Sequence, residues 1–123
     1  MSESSPRLLD YLEHIRDAIL RIERYVDDLD ELDFLQNDLV QDGVIRNLEV
    51  IGEAGRNIER DCPAWALAHP DVPLGLAYEM RNVLAHGYFK VDLELVWKTL
   101  QIDLPPLFRQ VMDLLDEEVD NSP

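Results

Sequence analysis

Apolar residues near the start of the chain recur at the spacing of an amphipathic helix. The gaps between them are alternately four and three residues, and they are Leu8, Leu12, Ile15, Ile19, Ile22 and Val26. A helix with 3.6 residues per turn brings such side chains onto one face. The pattern therefore predicts a first helix over residues 6–28, with Ser5 as its cap and Pro6 at its first position.

The same periodicity returns in three later segments. It predicts a second helix over residues 38–61, a third over residues 73–86, and a fourth that begins after Asp92. The fourth helix meets Pro105-Pro106, where proline removes a backbone donor and clashes with the preceding turn. No segment alternates with the period of a strand. The sequence thus predicts one all-α domain over residues 1–123. We expect an up-down bundle of four principal helices, the last kinked or split at Pro105-Pro106, with an acidic tail over about residues 116–123.

Two connectors separate these helices. In the first, over residues 27–33, Asp30 or Asp33 is predicted to cap a short turn that contains Phe34. The second, over residues 62–73, is predicted to be irregular because it contains three prolines. Within it, Trp65 and Leu67 are expected to contact the core, whereas His69 is expected to be exposed.

Composition limits the classes of partner. The chain has 26 acidic and 11 basic residues and a net charge of −15, which disfavours non-specific binding to nucleic acid or membranes. Any nucleic-acid site must therefore be a local basic pocket. The single cysteine, Cys62, cannot form an internal disulfide, which fits a reducing cytoplasm, and it is expected to be buried. No apolar run reaches membrane length.

The segment Arg81-Asn82-Val83-Leu84-Ala85-His86-Gly87-Tyr88-Phe89 combines residues suited to phosphate chemistry. Arginine donates two hydrogen bonds to phosphate oxygens, and histidine transfers protons near neutral pH. Gly87 predicts that the third helix ends here. Residues five apart lie about 140° apart around an ideal helix. Either the helix end therefore bends His86 back toward Arg81, or a second copy of the motif across a two-fold axis completes the site.

The motif from Arg81 to His86 and a row of charged residues on the second helix each have a simpler structural interpretation. Arg81 can pair with a carboxylate while His86 caps helix carbonyls. The row of charged residues on the second helix can likewise be structural or functional. Its members are Arg46, Glu49, Glu53, Arg56 and Arg60. Such a row is usually a solvated face with weak ion pairs. Alternatively, Arg46 or Glu53 lies beside the motif and orients it.

Three stretches, taken in order, carry a resemblance to a known family. The first is Asp42-Gly43-Val44-Ile45-Arg46-Asn47-Leu48-Glu49-Val50-Ile51-Gly52-Glu53-Ala54. The second is the R-x4-H-x-Y motif from Arg81 to Tyr88, and the third is Val91-Asp92-Leu93-Glu94-Leu95-Val96-Trp97. Together they resemble the HepT-like group of HEPN-fold proteins, the toxin half of HepT/MntA toxin–antitoxin pairs. The resemblance covers nearly the whole chain and implies a HEPN-type four-helix bundle.

The resemblance also implies an activity and its residues. Members of this kind are cytoplasmic homodimers that cleave RNA, whether tRNA or mRNA, without a metal ion or other cofactor. Arg81 and His86 from both subunits would be catalytic, and Asn82 would help to orient the site. Tyr88 would be the tyrosine to which a cognate MntA-like nucleotidyltransferase antitoxin adds AMP. Arg46 and Glu53 are candidate supporting residues.

Two other functional classes stay open at this point. A non-catalytic HEPN adaptor would only bind a nucleotidyltransferase partner or a nucleotide. A structural dimerisation module would use the motif only to cap a helix. The presence of Arg81, His86 and Tyr88 together favours the ribonuclease.

Overall fold

The computed structural model describes residues 6–72, 74 and 92–120. The described chain forms helices and contains no strand, which confirms the predicted all-α fold of the HEPN type. The helices are α1 (Pro6–Val26), α2 (Glu31–Leu35), α3 (Asp38–Asp61), α4 (Pro63–Ala68), α5 (Leu93–Ile102) and α6 (Leu104–Asp120). Apart from Leu74, the predicted third helix over residues 73–86 lies outside the described residues.

The two long helices α1 and α3 form an antiparallel pair at the centre of the described structure. Their side chains meet from Tyr11 and Asp61 at one end to Arg21 and Asn47 further along. Residue numbers rise along α1 as they fall along α3, so the helices run in opposite directions. Helix α6 packs against α1 and α5, and α2 packs against α3 and α5.

The apolar stripes predicted from the sequence form the core. On α1 every member of the stripe is buried except Val26, which is half-buried. Helices α2, α3, α5 and α6 add further fully buried side chains, among them Phe34, Val44, Ile51, Ile58, Val96 and Val111. Burying a side chain of this size contributes about 1.5–3 kcal/mol. Burial on both α1 and α3 therefore fixes their relative rotation and decides which of their residues face outward.

Local side-chain caps set where several helices begin. Asp30 Oδ1 accepts from the Asp33 N–H at 2.8 Å, and Asp33 Oδ2 accepts in return from the Asp30 N–H at 3.3 Å. This capping box confirms the predicted cap of the short turn, which is α2. Asn37 caps α3, and Asp92 caps α5 as predicted. Helix α1 ends two residues earlier than predicted, and Asp28 then adopts a positive φ of 66°.

The connector after α3 differs from its prediction. Pro63 does not break regular structure but begins the short helix α4, because proline is tolerated in the first turn, where its missing N–H would have no helical partner. Trp65 is buried as predicted, whereas Leu67 is 83% exposed. The prediction that His69 is exposed was also wrong. Its ring stacks on Trp65 with centroids 4.2 Å apart, and its Nδ1 lies 2.8 Å from the Trp65 carbonyl oxygen.

The predicted split of the last helix is present. Helix α5 ends at Ile102 and α6 begins at Leu104, so that Pro105 and Pro106 occupy the first turn of α6. There the prolines remove no intrahelical hydrogen bond. Helix α6 continues to Asp120, so most of the segment predicted as an acidic tail is helical.

Candidate functional site

The motif expected to carry the chemistry lies between Leu74 and Asp92. Arg81, Asn82, His86 and Tyr88 are all outside the described residues, and their roles stay predictions. The structure describes the parts of the bundle that hold the two ends of this segment, together with the two long helices that carry the other candidate residues.

Both ends of the motif segment are tied to the bundle. Leu74 and Val72 are buried, and the Leu74 N–H donates to the Val72 carbonyl oxygen at 2.8 Å. Gln110 of α6 donates from Nε2 to the carbonyl oxygen of Asp71 at 2.9 Å. At the other end, Asp92 accepts from the Leu95 N–H at 3.1 Å and caps α5. The segment therefore follows a stretch that contacts α6 and is followed by the cap of α5.

The two supporting residues predicted on α3 lie on its outer side. Arg46 is 76% exposed, and its Nη1 is 3.9 Å from Glu49 Oε2, a geometry that contributes little to stability. Arg46, Glu49 and Glu53 line one groove of about 360 Å³. They do share one side of the helix, but the structure does not test whether Arg46 or Glu53 orients the motif.

The same groove contains residues that the sequence did not single out. His14 of α1 forms part of its wall, as does Asn57 of α3. The Oδ1 atom of Asn57 is buried and has no hydrogen-bond partner within the described part of the chain.

A second feature missed from the sequence joins α1 to α3. Asn47 is 5% exposed. Its Nδ2 donates to the carbonyl oxygen of Gly43 at 2.8 Å, and its Oδ1 accepts from Nε of Arg21 at 2.7 Å. Because both ends of the amide are engaged, its orientation is fixed. The Arg21 side chain is held in place by a neutral group.

A cluster around Asp61 joins the start of α1 to the end of α3. Arg60 donates to both carboxylate oxygens, at 2.9 and 3.2 Å, and the Tyr11 hydroxyl donates to Oδ2 at 2.6 Å. The Arg60 and Tyr11 hydrogen bonds lower the pKa of Asp61 well below its usual range. The hydrogen bond that the Tyr11 hydroxyl donates to Asp61 in turn raises the pKa of Tyr11. Asp61 is therefore ionised at neutral pH and ties the helices together.

This cluster predicts an acid-sensitive part of the stability. A carboxylate with a lowered pKa stabilises the fold above the ordinary pKa of an unfolded aspartate, about 4. That contribution is lost as the pH falls below this value toward the lowered pKa. Asp61→Asn should unfold at a lower temperature than wild type at pH 7, by a modest amount because the cluster is near solvent. The difference should shrink with acidification.

Thermal unfolding followed by circular dichroism between pH 2 and pH 7 measures this. Asp113→Asn, which removes one exposed carboxylate from α6, is the control and should not reproduce the effect. A constant difference between Asp61→Asn and wild type across the whole range would contradict the account.

The described residues lack the groupings typical of two other site classes. Among residues 6–72, 74 and 92–120, no three side chains of the His, Cys, Asp or Glu type are arranged to hold a metal ion. Nor does any helix in these ranges have both the length and the apolar character needed to cross a membrane.

Comparison with known proteins places the chain in a class. Residues 15–114 match the family described as ribonuclease HepT-like. A probable ribonuclease HepT of Thermococcus cleftensis is 43% identical over 80% of this chain and 86% of its own length. Putative RNases of Methanocaldococcus jannaschii and Caldanaerobacter subterraneus are 36% and 34% identical, over 85% and 88% of this chain and 89% and 94% of their own lengths. No solved structure gives a significant match.

The chain therefore belongs to the HepT-like ribonuclease family. The resemblance that the second-helix stretch and the R-x4-H-x-Y motif indicated is confirmed.

Proposed function

We propose that this protein is the toxin of a toxin–antitoxin pair and acts as a metal-independent endoribonuclease. The observation that carries the proposal is the motif from Arg81 to Tyr88 in a chain that belongs to a ribonuclease family. The relatives named as ribonucleases match this chain over most of their own length. The substrate is RNA, either tRNA or mRNA.

The cleavage step needs only groups that the motif supplies. The ribose 2′-oxygen attacks the adjacent phosphorus, and one His86 accepts the 2′-hydroxyl proton. A bond forms from the 2′-oxygen to phosphorus while the bond to the 5′-oxygen breaks. A second His86 donates a proton to that leaving oxygen. The products are a 2′,3′-cyclic phosphate and a 5′-hydroxyl end. Arg81 stabilises the charge that develops on the phosphoryl oxygens.

A homodimer supplies the second set of groups. A two-fold axis would bring both copies of Arg81 and His86 into one cleft, with Asn82 orienting them. Such a cleft would be a local basic site on an otherwise acidic protein, as the net charge of −15 requires. With a 2′-hydroxyl nucleophile and two imidazoles present, the reaction needs no metal ion or cofactor.

Tyr88 is the proposed point of control. A cognate nucleotidyltransferase antitoxin would join the tyrosine oxygen to the α-phosphorus of ATP, with pyrophosphate as the leaving group. The added AMP is a bulky anion two residues from His86. It would occupy and neutralise the basic cleft, so that silencing requires no refolding of the bundle.

Growth of cells that express the chain tests the proposal. Expression of the wild type alone should slow growth, and co-expression of the nucleotidyltransferase should restore it. Expression of His86→Ala at the same level should not slow growth. If the wild type is expressed as a folded protein and growth is unaffected, the ribonuclease proposal is contradicted in favour of an adaptor or a structural dimerisation module.

A further inference from the structure

Arg21 differs from several other described arginines in its hydrogen-bond partner, which is an amide and not a carboxylate. Each of several others lies within 4.0 Å of a carboxylate, namely Arg7, Arg16, Arg46 and Arg60. Arg21 is instead hydrogen-bonded to the amide oxygen of Asn47. A carboxylate partner would cancel much of the positive charge, whereas a neutral amide fixes the side chain without cancelling its charge. This arrangement suits an arginine that receives an anion.

The hydrogen bond that the described residues give Arg21 uses a donor that a phosphate does not need. An arginine has five N–H donors, and Asn47 takes the one on Nε. The two Nη nitrogens carry the remaining four, and a phosphate accepts two parallel hydrogen bonds from such an edge. Asn47 is itself held by the Gly43 carbonyl oxygen. The orientation of the fork is therefore set before any ligand binds, which reduces the entropy lost on binding.

An open groove of about 600 Å³ lies beside Arg21 on the outer side of α1. Arg24, one turn further along, adds a second positive charge to its lining. Of the acidic lining residues, Asp17 is already engaged by Nε of Arg16 at 2.9 Å. Glu23 and Asp27 also line the groove. Their charge disfavours a run of phosphates and limits the contact to a single one.

We propose that Arg21, positioned by Asn47, binds one phosphate of the RNA substrate. The inference rests on the proposed function, because that function makes RNA the ligand. Arg21 is a binding residue here, Asn47 is a positioning residue, and Gly43 supplies the carbonyl oxygen that orients Asn47. The site lies on the α1–α3 pair and is built entirely from described residues.

Binding of a 2′-O-methylated oligonucleotide of mixed sequence, measured by fluorescence anisotropy at several salt concentrations, tests the inference. This RNA lacks the nucleophile and is not cleaved. Arg21→Gln should bind on the order of tenfold more weakly. The slope of log affinity against log salt should fall in magnitude by about 0.7, the value for one phosphate of a single strand. Arg109→Gln removes the same charge from an exposed position on α6, away from the groove, and should leave both quantities near wild type.

Two further variants separate binding from folding. Arg21→Lys keeps the charge but loses the fork, so it should bind with an intermediate affinity and the wild-type salt slope. Asn47→Ala keeps Arg21 but releases it, and should lower affinity without changing the slope. If Arg21→Gln does not fold, Arg21→Lys decides the question, and an affinity equal to wild type overturns the inference.

The possible failures are distinguishable. A wild-type protein that binds and cleaves RNA, combined with wild-type affinity and salt slope in Arg21→Gln, overturns the role of Arg21 alone. A folded wild-type protein that neither binds nor cleaves RNA contradicts the proposed function and this inference with it.

Discussion

Replacing His86 with alanine is expected to lower the rate of RNA cleavage by about 10²–10⁴-fold, the range that general acid–base groups contribute. In the proposed site both proton transfers pass through imidazoles, and alanine can make neither. Substrate binding should change less than the rate, because Arg81 and Arg21 remain. Single-turnover cleavage of a labelled RNA with enzyme in excess measures the chemical step.

The control for this variant is His69→Ala. His69 is half-buried and packs on Trp65 after α4, so the substitution tests whether the loss of any histidine lowers the rate. Circular dichroism should show that both variants are folded. Equal rates for His86→Ala and wild type would remove His86 from the chemistry.

Replacing Tyr88 with phenylalanine is expected to preserve RNA cleavage and to abolish silencing by the nucleotidyltransferase. Phenylalanine keeps the ring but has no oxygen to accept AMP. Purified protein would be incubated with the antitoxin and ATP, analysed by mass spectrometry and then assayed for cleavage. The wild type should gain the mass of AMP and lose activity, while Tyr88→Phe should do neither.

Tyr25→Phe provides the matched control. Tyr25 is an exposed tyrosine of α1, and its loss should leave both modification and silencing intact. If a folded Tyr88→Phe loses cleavage before any antitoxin is added, Tyr88 is part of the catalytic site and the regulatory role is wrong.

The architecture could be predicted because most of its determinants are local. The three- and four-residue gaps on α1 and α3 identify the buried faces, and Asp30 and Asp92 cap the helices that they precede. The connector after α3 could not be predicted in the same way. Whether Leu67 or His69 packs against Trp65 depends on tertiary contacts. A proline such as Pro63 is compatible with a break in regular structure and with the first turn of a helix, so its identity alone does not decide between them.

In the candidate site, too, some features can be predicted from the local sequence and others depend on tertiary contacts. Residue chemistry predicts Arg81 and His86 as candidates without any coordinates, because few side chains serve phosphate transfer, and the family resemblance adds Tyr88; all three roles stay predictions. The role of Asn47 was missed, although a signal was present. Asn47 lies three residues after Val44 and four before Ile51, so it is a polar residue on an apolar stripe. Such a residue needs buried partners, but the sequence cannot show that Arg21 is one of them.

The central claim is that this protein cleaves RNA through a 2′-hydroxyl nucleophile without a metal ion. The most direct test is to incubate purified wild-type protein in EDTA with an RNA and with the same RNA carrying a 2′-deoxyribose at the cleavage position. The account predicts that the first is cut to a 2′,3′-cyclic phosphate and a 5′-hydroxyl end, and that the second is left intact. Cleavage that is absent in EDTA and restored by Mg²⁺, or equal cleavage of both substrates, would contradict it.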